Sequence, residues 1–122
     1  MPLPQNLIHH TTQIVNEIQL CKDVEGITQE NMSKISYGDT KNAIIPCTAA
    51  ACLHILKSHR IDLVGKRCVI VNSSLNVGVP LFQLLLKQNA TVTICNPYEC
   101  CIRDMISEAD IVISAIGKPN CI

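Results

Sequence analysis

Residues 67–96, RCVIVNSSLNVGVPLFQLLLKQNATVTICN, constrain the fold of this chain more than any other stretch. Cys68-Val69-Ile70-Val71 is a β-branched run, with Gly65 before it and Asn72-Ser73-Ser74 after it. A short apolar run between turn signals suits a strand buried on both faces. Val77-Gly78-Val79-Pro80 then leads into Leu81, Leu84, Leu85 and Gln88, which recur at helical spacing. Pro80 suits that helix's first turn, where the N–H it lacks would have no intrahelical partner. Thr91-Val92-Thr93-Ile94-Cys95 is a second β-rich run. Strand, polar loop, helix and strand make a βαβ unit, because parallel strands need such a crossover. Further on, 101–107 carries a weak helical pattern through Ile102 and Ile106, and Asp110-Ile111-Val112-Ile113-Ser114-Ala115 is a third buried run. The alternation predicts an α/β fold with parallel strands near 68–72, 91–95 and 110–115, in order 2-1-3 with right-handed crossovers.

At 122 residues the chain is one small domain or part of a larger one. Its apolar share of 48% contains one Phe, two Tyr and no Trp, so the core must be built of Ile, Val, Leu and Ala. That is the usual filling of parallel sheets covered on both faces. A formal net charge of zero, with no basic cluster longer than two residues, argues against a nucleic-acid partner and a polybasic membrane anchor. No apolar run reaches the roughly 18 residues of a membrane span. Met1-Pro2-Leu3-Pro4-Gln5 has neither a signal-peptide nor a transit-peptide character, so a cytoplasmic location is expected. A mitochondrial one would require a leader ahead of Met1. The eight cysteines (21, 47, 52, 68, 95, 100, 101 and 121) form no Cys-x-x-Cys and read as reduced thiols. Cys52, Cys68 and Cys95 fall in helix or strand, as small buried hydrophobes do. Cys95, Cys100 and Cys101 could suit a soft metal, but no histidine stands near them and no metal is expected.

Before the central unit, Pro2-Leu3-Pro4 reads as extended. Thr11 and Thr12 are candidate caps of a helix to about Leu20, with Ile14, Val15 and Ile18 as its stripe. His9 and His10 read as solvated. Lys22-Asp23-Val24-Glu25-Gly26 reads as a helix C-terminal turn ending in glycine. Thr28 caps a short helix that stops near Tyr37-Gly38-Asp39, with Glu30 near its positive end. Thr48 caps another over about 49–59, with Cys52, Ile55 and Leu56 inward and His54 and His59 outward. Asn96-Pro97-Tyr98-Glu99 is a turn. Gly117-Lys118-Pro119 is a loop at a strand's C-terminal edge, where open α/β sheets bind ligands.

A loop such as Asn72–Gly78 can bring backbone N–H groups and a helix N-terminus to a pyrophosphate. It keeps a single glycine, and on spacing alone a plain structural turn is an equal reading. A wider set of motifs decides more. Pro46-Cys47-Thr48, Ile61–Lys66, Ser74-x-x-Val77-Gly78-x-Pro80, Ala90-Thr91-Val92-Thr93 and Ala109–Ile113 resemble the bifunctional methylenetetrahydrofolate dehydrogenase/methenyltetrahydrofolate cyclohydrolase family. Pro2-Leu3-Pro4 and Lys22–Gly26 fit that family's PLP and KDVDG segments in the right order, so the resemblance covers essentially the whole chain.

The resemblance implies a partial Rossmann-like sheet preceded by helices from the end of an N-terminal folate-binding catalytic domain. Residues 1–45 would be the remnant of that domain, and 46–122 the first half of the NAD(P)-binding domain. The family's catalytic Tyr-x-x-x-Lys helix would lie ahead of Met1, and its later Rossmann strands beyond Ile122. The implied cofactor contacts are Asn72, Ser73, Ser74, Val77, Gly78, Pro80, Asn96, Ala115 and Gly117. Glu25 stands at the folate-contacting aspartate, and no catalytic or metal-binding residue is assigned. This chain departs from the family at Asn72-Ser73, where Gly-Arg is usual, and at Asn96-Pro97, where His-Ser is usual. Losing the glycine crowds the phosphate loop. Losing the arginine removes the fork that pairs with a 2′-phosphate.

Three functional readings follow. The first is family membership, with hydride transfer from methylenetetrahydrofolate to a nicotinamide cofactor and hydrolysis of the methenyl product. The second is an inactive remnant in which NAD or NADP binding is weak or lost. The third is a module that forms a homodimer, or a heterodimer with a full-length relative, through an unpaired sheet edge. Folate would be a substrate only in a complete protein.

Overall fold

The computed structural model describes residues 4–96, 98 and 101–117. The expectations for Pro2-Leu3, for the turn at Pro97 and Glu99, for Lys118-Pro119, and for Cys100 and Cys121 lie outside the described residues. A parallel sheet of three strands forms the centre: β1 (Arg67–Val71), β2 (Thr91–Cys95) and β3 (Ile111–Ser114). Their order is β2-β1-β3, as the alternation of apolar runs predicts. The register sets Cys68 beside Val92 and Ile111, and Val71 beside Cys95 and Ser114.

Four of the five residues of β1 are buried, because both of its faces are covered. Cys68 and Ile70 face α3 (Cys47–Ser58) and α4 (Gly78–Leu86), in a core with Ala49, Leu81, Leu84 and Leu85. Val69, Val71 and Cys95 face the other way, toward Ile102 and Ile106 of α5 (Ile102–Ser107). Helices on both faces explain why β1 reads as a continuous apolar run instead of an alternating one. Burial, and then the charge of Asp110, raises the Cys68 thiol above its ordinary value. It is inert core, as a buried thiol in apolar surroundings should be.

The helices differ from the sequence reading in detail. The first, α1 (Thr11–Asn16), continues a 3-10 segment, Gln5–His10, and neither threonine caps it. The chain is already helical there, and the Thr11 hydroxyl donates back to the Ile8 carbonyl at 2.6 Å. α1 stops short of Leu20 because Asn16 turns toward α2 (Gln29–Ser36): its Oδ1 accepts the Gln29 N–H at 3.0 Å. Ile14 and Val15 are half-buried, and Ile18 is exposed. Thr28 does cap α2, accepting the Asn31 N–H. Thr48 does not cap α3, because Pro46 ends the extended linker and the helix starts at Cys47. The inward stripe of α3 is Ala49, Cys52, Leu53 and Leu56; Ile55 is 56% exposed and lies off it. His54 and His59 are exposed, as expected.

The N-terminal segment is tied to the sheet layer. Lys87 at the end of α4 donates to the Gly38 carbonyl at 2.6 Å and to the Thr40 hydroxyl at 2.8 Å. Asn31, 2% exposed, donates to the Gly26 and Ile44 carbonyls and accepts the Ile44 N–H at 2.8 Å. One buried amide thus joins the 22–26 loop, α2 and the linker into α3. No helix among the described residues is long and apolar enough to cross a membrane.

Candidate functional site

The carboxyl ends of β1 and β3 meet where the strand order reverses, since β1 is followed in sequence by β2 on one side and has β3 on the other. α4 and α5 diverge to opposite faces there, which leaves a crevice outside the strand ends. The 72–77 loop leaves β1 over this crevice and enters α4. Asn72 organises it. Its Nδ2 donates to the Ala115 carbonyl at 2.6 Å, and its Oδ1 accepts the Ser74 N–H at 2.7 Å. The Ser74 hydroxyl accepts the Val77 N–H at 3.3 Å, and the Ser74 carbonyl accepts the Val79 N–H at 3.0 Å.

Gly78, the first residue of α4, is pressed onto the start of this loop. A Cβ there would fall on the Asn72 carbonyl, 2.8 Å from its carbon. The requirement is for space, because Gly78 has an ordinary backbone conformation. Pro80 is buried in the first turn behind it, and Ser73 and Ser74 are exposed at the rim. Gly117, after β3, has φ of +68° and is exposed. Asn96 sits apart at the end of β2, where its Oδ1 accepts the Tyr98 N–H at 3.2 Å.

The 22–26 loop is not a simple helix-ending turn. A short 3-10 turn, Leu20–Lys22, delivers Asp23 into the interior at 3% exposure. There its carboxylate accepts the N–H groups of Gly26 (2.8 Å), Ile27 (3.1 Å) and Thr28 (2.9 Å), and the Thr28 hydroxyl (2.7 Å). Burial alone would raise this carboxyl. The Thr28 N–H and hydroxyl, then the Ile27 and Gly26 N–H groups, outweigh it and hold Asp23 below its ordinary value. Gly26, at φ +71°, packs on the Ile44 carbonyl where no side chain fits. With the loop fixed in this way, Glu25 is exposed on the wall of a cleft of about 410 Å³ shared with Ile14, Ile18, Asp23, Val24 and Asn76.

The structure therefore brings Asn72, Ser74, Val77, Gly78 and Ala115 together, sets Glu25 on a neighbouring cleft that reaches the same loop through Asn76, and leaves Asn96 on the far strand. Sequence reasoning missed Asp23, Asn31 and Asn76. Asp-x-x-Gly-x-Thr is a spacing that lets one carboxylate gather the N–H groups of a following helix start, and it was there to be read. The spacing Tyr-x-x-x-Lys also occurs here, at Tyr37 and Lys41. These residues lie in the turns after α2, with Tyr37 90% exposed, so no helical face aligns the two side chains.

A parallel sheet covered on both faces, with a glycine-closed loop running from its central strand into a helix at the reversal of strand order, defines the doubly wound class of α/β ligand-binding folds. The family model described as tetrahydrofolate dehydrogenase/cyclohydrolase, NAD(P)-binding domain, matches residues 46–122, and the chain belongs to that family. The bifunctional protein FolD of Wolbachia pipientis subsp. Culex pipiens is 42% identical over 120 residues, which are 98% of this chain and 40% of that protein. The cytoplasmic C-1-tetrahydrofolate synthase of Homo sapiens is 34% identical over all of this chain and 13% of its own length. Among solved structures, the Trypanosoma brucei N5,N10-methylenetetrahydrofolate dehydrogenase-cyclohydrolase, complexed with NADP cofactor and inhibitor, matches with a TM-score of 0.91. It is 30% identical, and the match covers all of this chain and 41% of that one. The chain thus spans about 40% of the length of the bacterial relatives it matches.

Proposed function

We propose that this chain serves a methylenetetrahydrofolate dehydrogenase/cyclohydrolase as its nucleotide-binding part. Residues 46–122 form the first half of the NAD(P)-binding domain, and residues 1–45 close the folate-binding domain that precedes it. The 72–78 loop receives the pyrophosphate of NAD or NADP, with Gly117 at the end of the neighbouring strand. Glu25 is offered to the folate. One observation carries this reading: Gly78 is held against Asn72 at the reversal of strand order, beside a cleft whose wall includes both Glu25 and Asn76. When bound, the nicotinamide would accept the hydride from methylenetetrahydrofolate, and the methenyl product would then be hydrolysed. The residues of this chain bind and orient; none is assigned a proton-transfer role. A cytoplasmic location belongs to this reading, since eight cysteines without a Cys-x-x-Cys pattern suit a reducing compartment.

Titration calorimetry of the chain with NAD and with NADP tests the reading. Both are expected to bind, weakly and with equal affinity, because Ser73 and Asn96 supply no cation for a 2′-phosphate. An advantage for NADP of about tenfold, or ~1.4 kcal/mol, would mean that a basic side chain elsewhere reaches the phosphate. Failure of both to bind would overturn the reading.

A second role, as a dimerisation module, is favoured by the sheet edges. Among the described residues β2 and β3 each have β1 as their sheet neighbour, and Val112 on β3 is 38% exposed. An open edge is a template for another strand. The 122-residue chain is expected to sediment with a mass that rises with concentration. A monomer across the whole range would contradict this role.

A further inference from the structure

We propose that Asn72 is a latch that sets the nucleotide affinity of this loop, an inference that rests on the dinucleotide reading above. Its side chain does two things at once at the crevice between β1 and β3. Through Nδ2 it is tied to the Ala115 carbonyl at 2.6 Å, which carries the β1–β3 connection one residue beyond the ladder that ends at Val71 and Ser114. Through Oδ1 it holds the Ser74 N–H at 2.7 Å. That N–H is one of the donors by which a loop of this kind takes a phosphate oxygen. The Val77 N–H, a second such donor, is held by the Ser74 hydroxyl. The loop therefore holds the Ser74 and Val77 N–H groups on its own acceptors, at the place that the dinucleotide reading gives to the pyrophosphate. A dinucleotide must exchange the Asn72 amide for its phosphate oxygens, so part of its binding free energy is spent on opening the latch.

Asn72 is in this sense a positioning residue, and its removal should improve binding. Asn72→Gly and Asn72→Ala both free the Ser74 N–H, and the pair separates loss of the amide from added backbone freedom. Each variant, titrated with NADP, NAD and inorganic pyrophosphate, is expected to bind about tenfold more tightly than the parent chain, the size of one hydrogen bond no longer displaced. Each should also melt at a lower temperature, since the tie to Ala115 is lost. A merely structural role would move the melting temperature and leave affinity unchanged or weaker, and that result overturns the latch while the dinucleotide reading stands. Absence of binding by parent and variants alike overturns both.

Discussion

Replacing Asp23 by alanine is expected to destabilise the chain by about 3–5 kcal/mol, because three backbone N–H groups and a hydroxyl lose their shared acceptor. The site is buried, and the donors it satisfies form the start of α2 and the turn at Gly26. Chemical denaturation of the two proteins at neutral pH measures the difference. A loss under about 1 kcal/mol, the size of one ordinary hydrogen bond, would show that water replaces the carboxylate. The charge makes a second, separable claim. Since the folded carboxyl lies below its ordinary value of 3.8, the ion's contribution is fully present above that value. It is lost as pH falls through the depressed folded value. Asp23→Asn keeps the shape and cannot titrate, so its stability should fall less steeply than the parent's below about pH 4. Parallel curves would mean that Asp23 is not held below its ordinary value.

The second large effect is expected at Gly78. Alanine there would drive a methyl group onto the Asn72 carbonyl, where backbone and not a flexible side chain stands in the way. Either the loop or the first turn of α4 must move. The cost is about 3 kcal/mol, the upper end of what overpacking a tight site incurs. The same displacement moves the start of α4 away from the end of β1, so the loop's N–H groups no longer converge on one site and nucleotide binding should be lost even where the variant remains folded. Thermal melting and calorimetry on the one variant read both effects. A Gly78→Ala protein that melts with the parent and binds equally well would show that the close approach is not required.

The sheet was legible because its signal is local and strong. β1, β2 and β3 are β-branched runs bounded by turn residues, and two covered faces leave such runs little alternative. The crossovers between them made the strands parallel, and the order β2-β1-β3 is the one expected from the alternation of apolar and helical runs. The N-terminal segment was harder to read, because its helices are short and settled by contacts that no local pattern reveals. Thr11 is an excellent cap residue by type, yet the preceding 3-10 segment takes its place at the helix start. Thr48 lost its cap role to Pro46 by a shift of two residues. Ile55 is apolar but falls off a stripe set by Ala49, Cys52, Leu53 and Leu56.

The candidate site divides in the same way. Gly78 could be singled out from its place between strand and helix, whereas its reason, contact with a carbonyl six residues back, is visible only in the fold. Asn72 reads in sequence as a crowding residue in a phosphate loop. Its bond to Ala115, 43 residues away, is tertiary and had no sequence signal. Asn76 carries no motif either; it joins Glu25 on one cleft because the 22–26 loop packs beside the 72–77 loop.

The most direct test of the central claim, that the loop between β1 and α4 receives a dinucleotide, is to map backbone amide chemical shifts of the chain during titration with NAD and NADP. The expected changes cluster at residues 72–79 and at 115–117, with the Ser74 and Val77 amides moving most as they exchange internal acceptors for phosphate. Shifts confined to α2 and α3, or no shifts at saturating nucleotide, would contradict it.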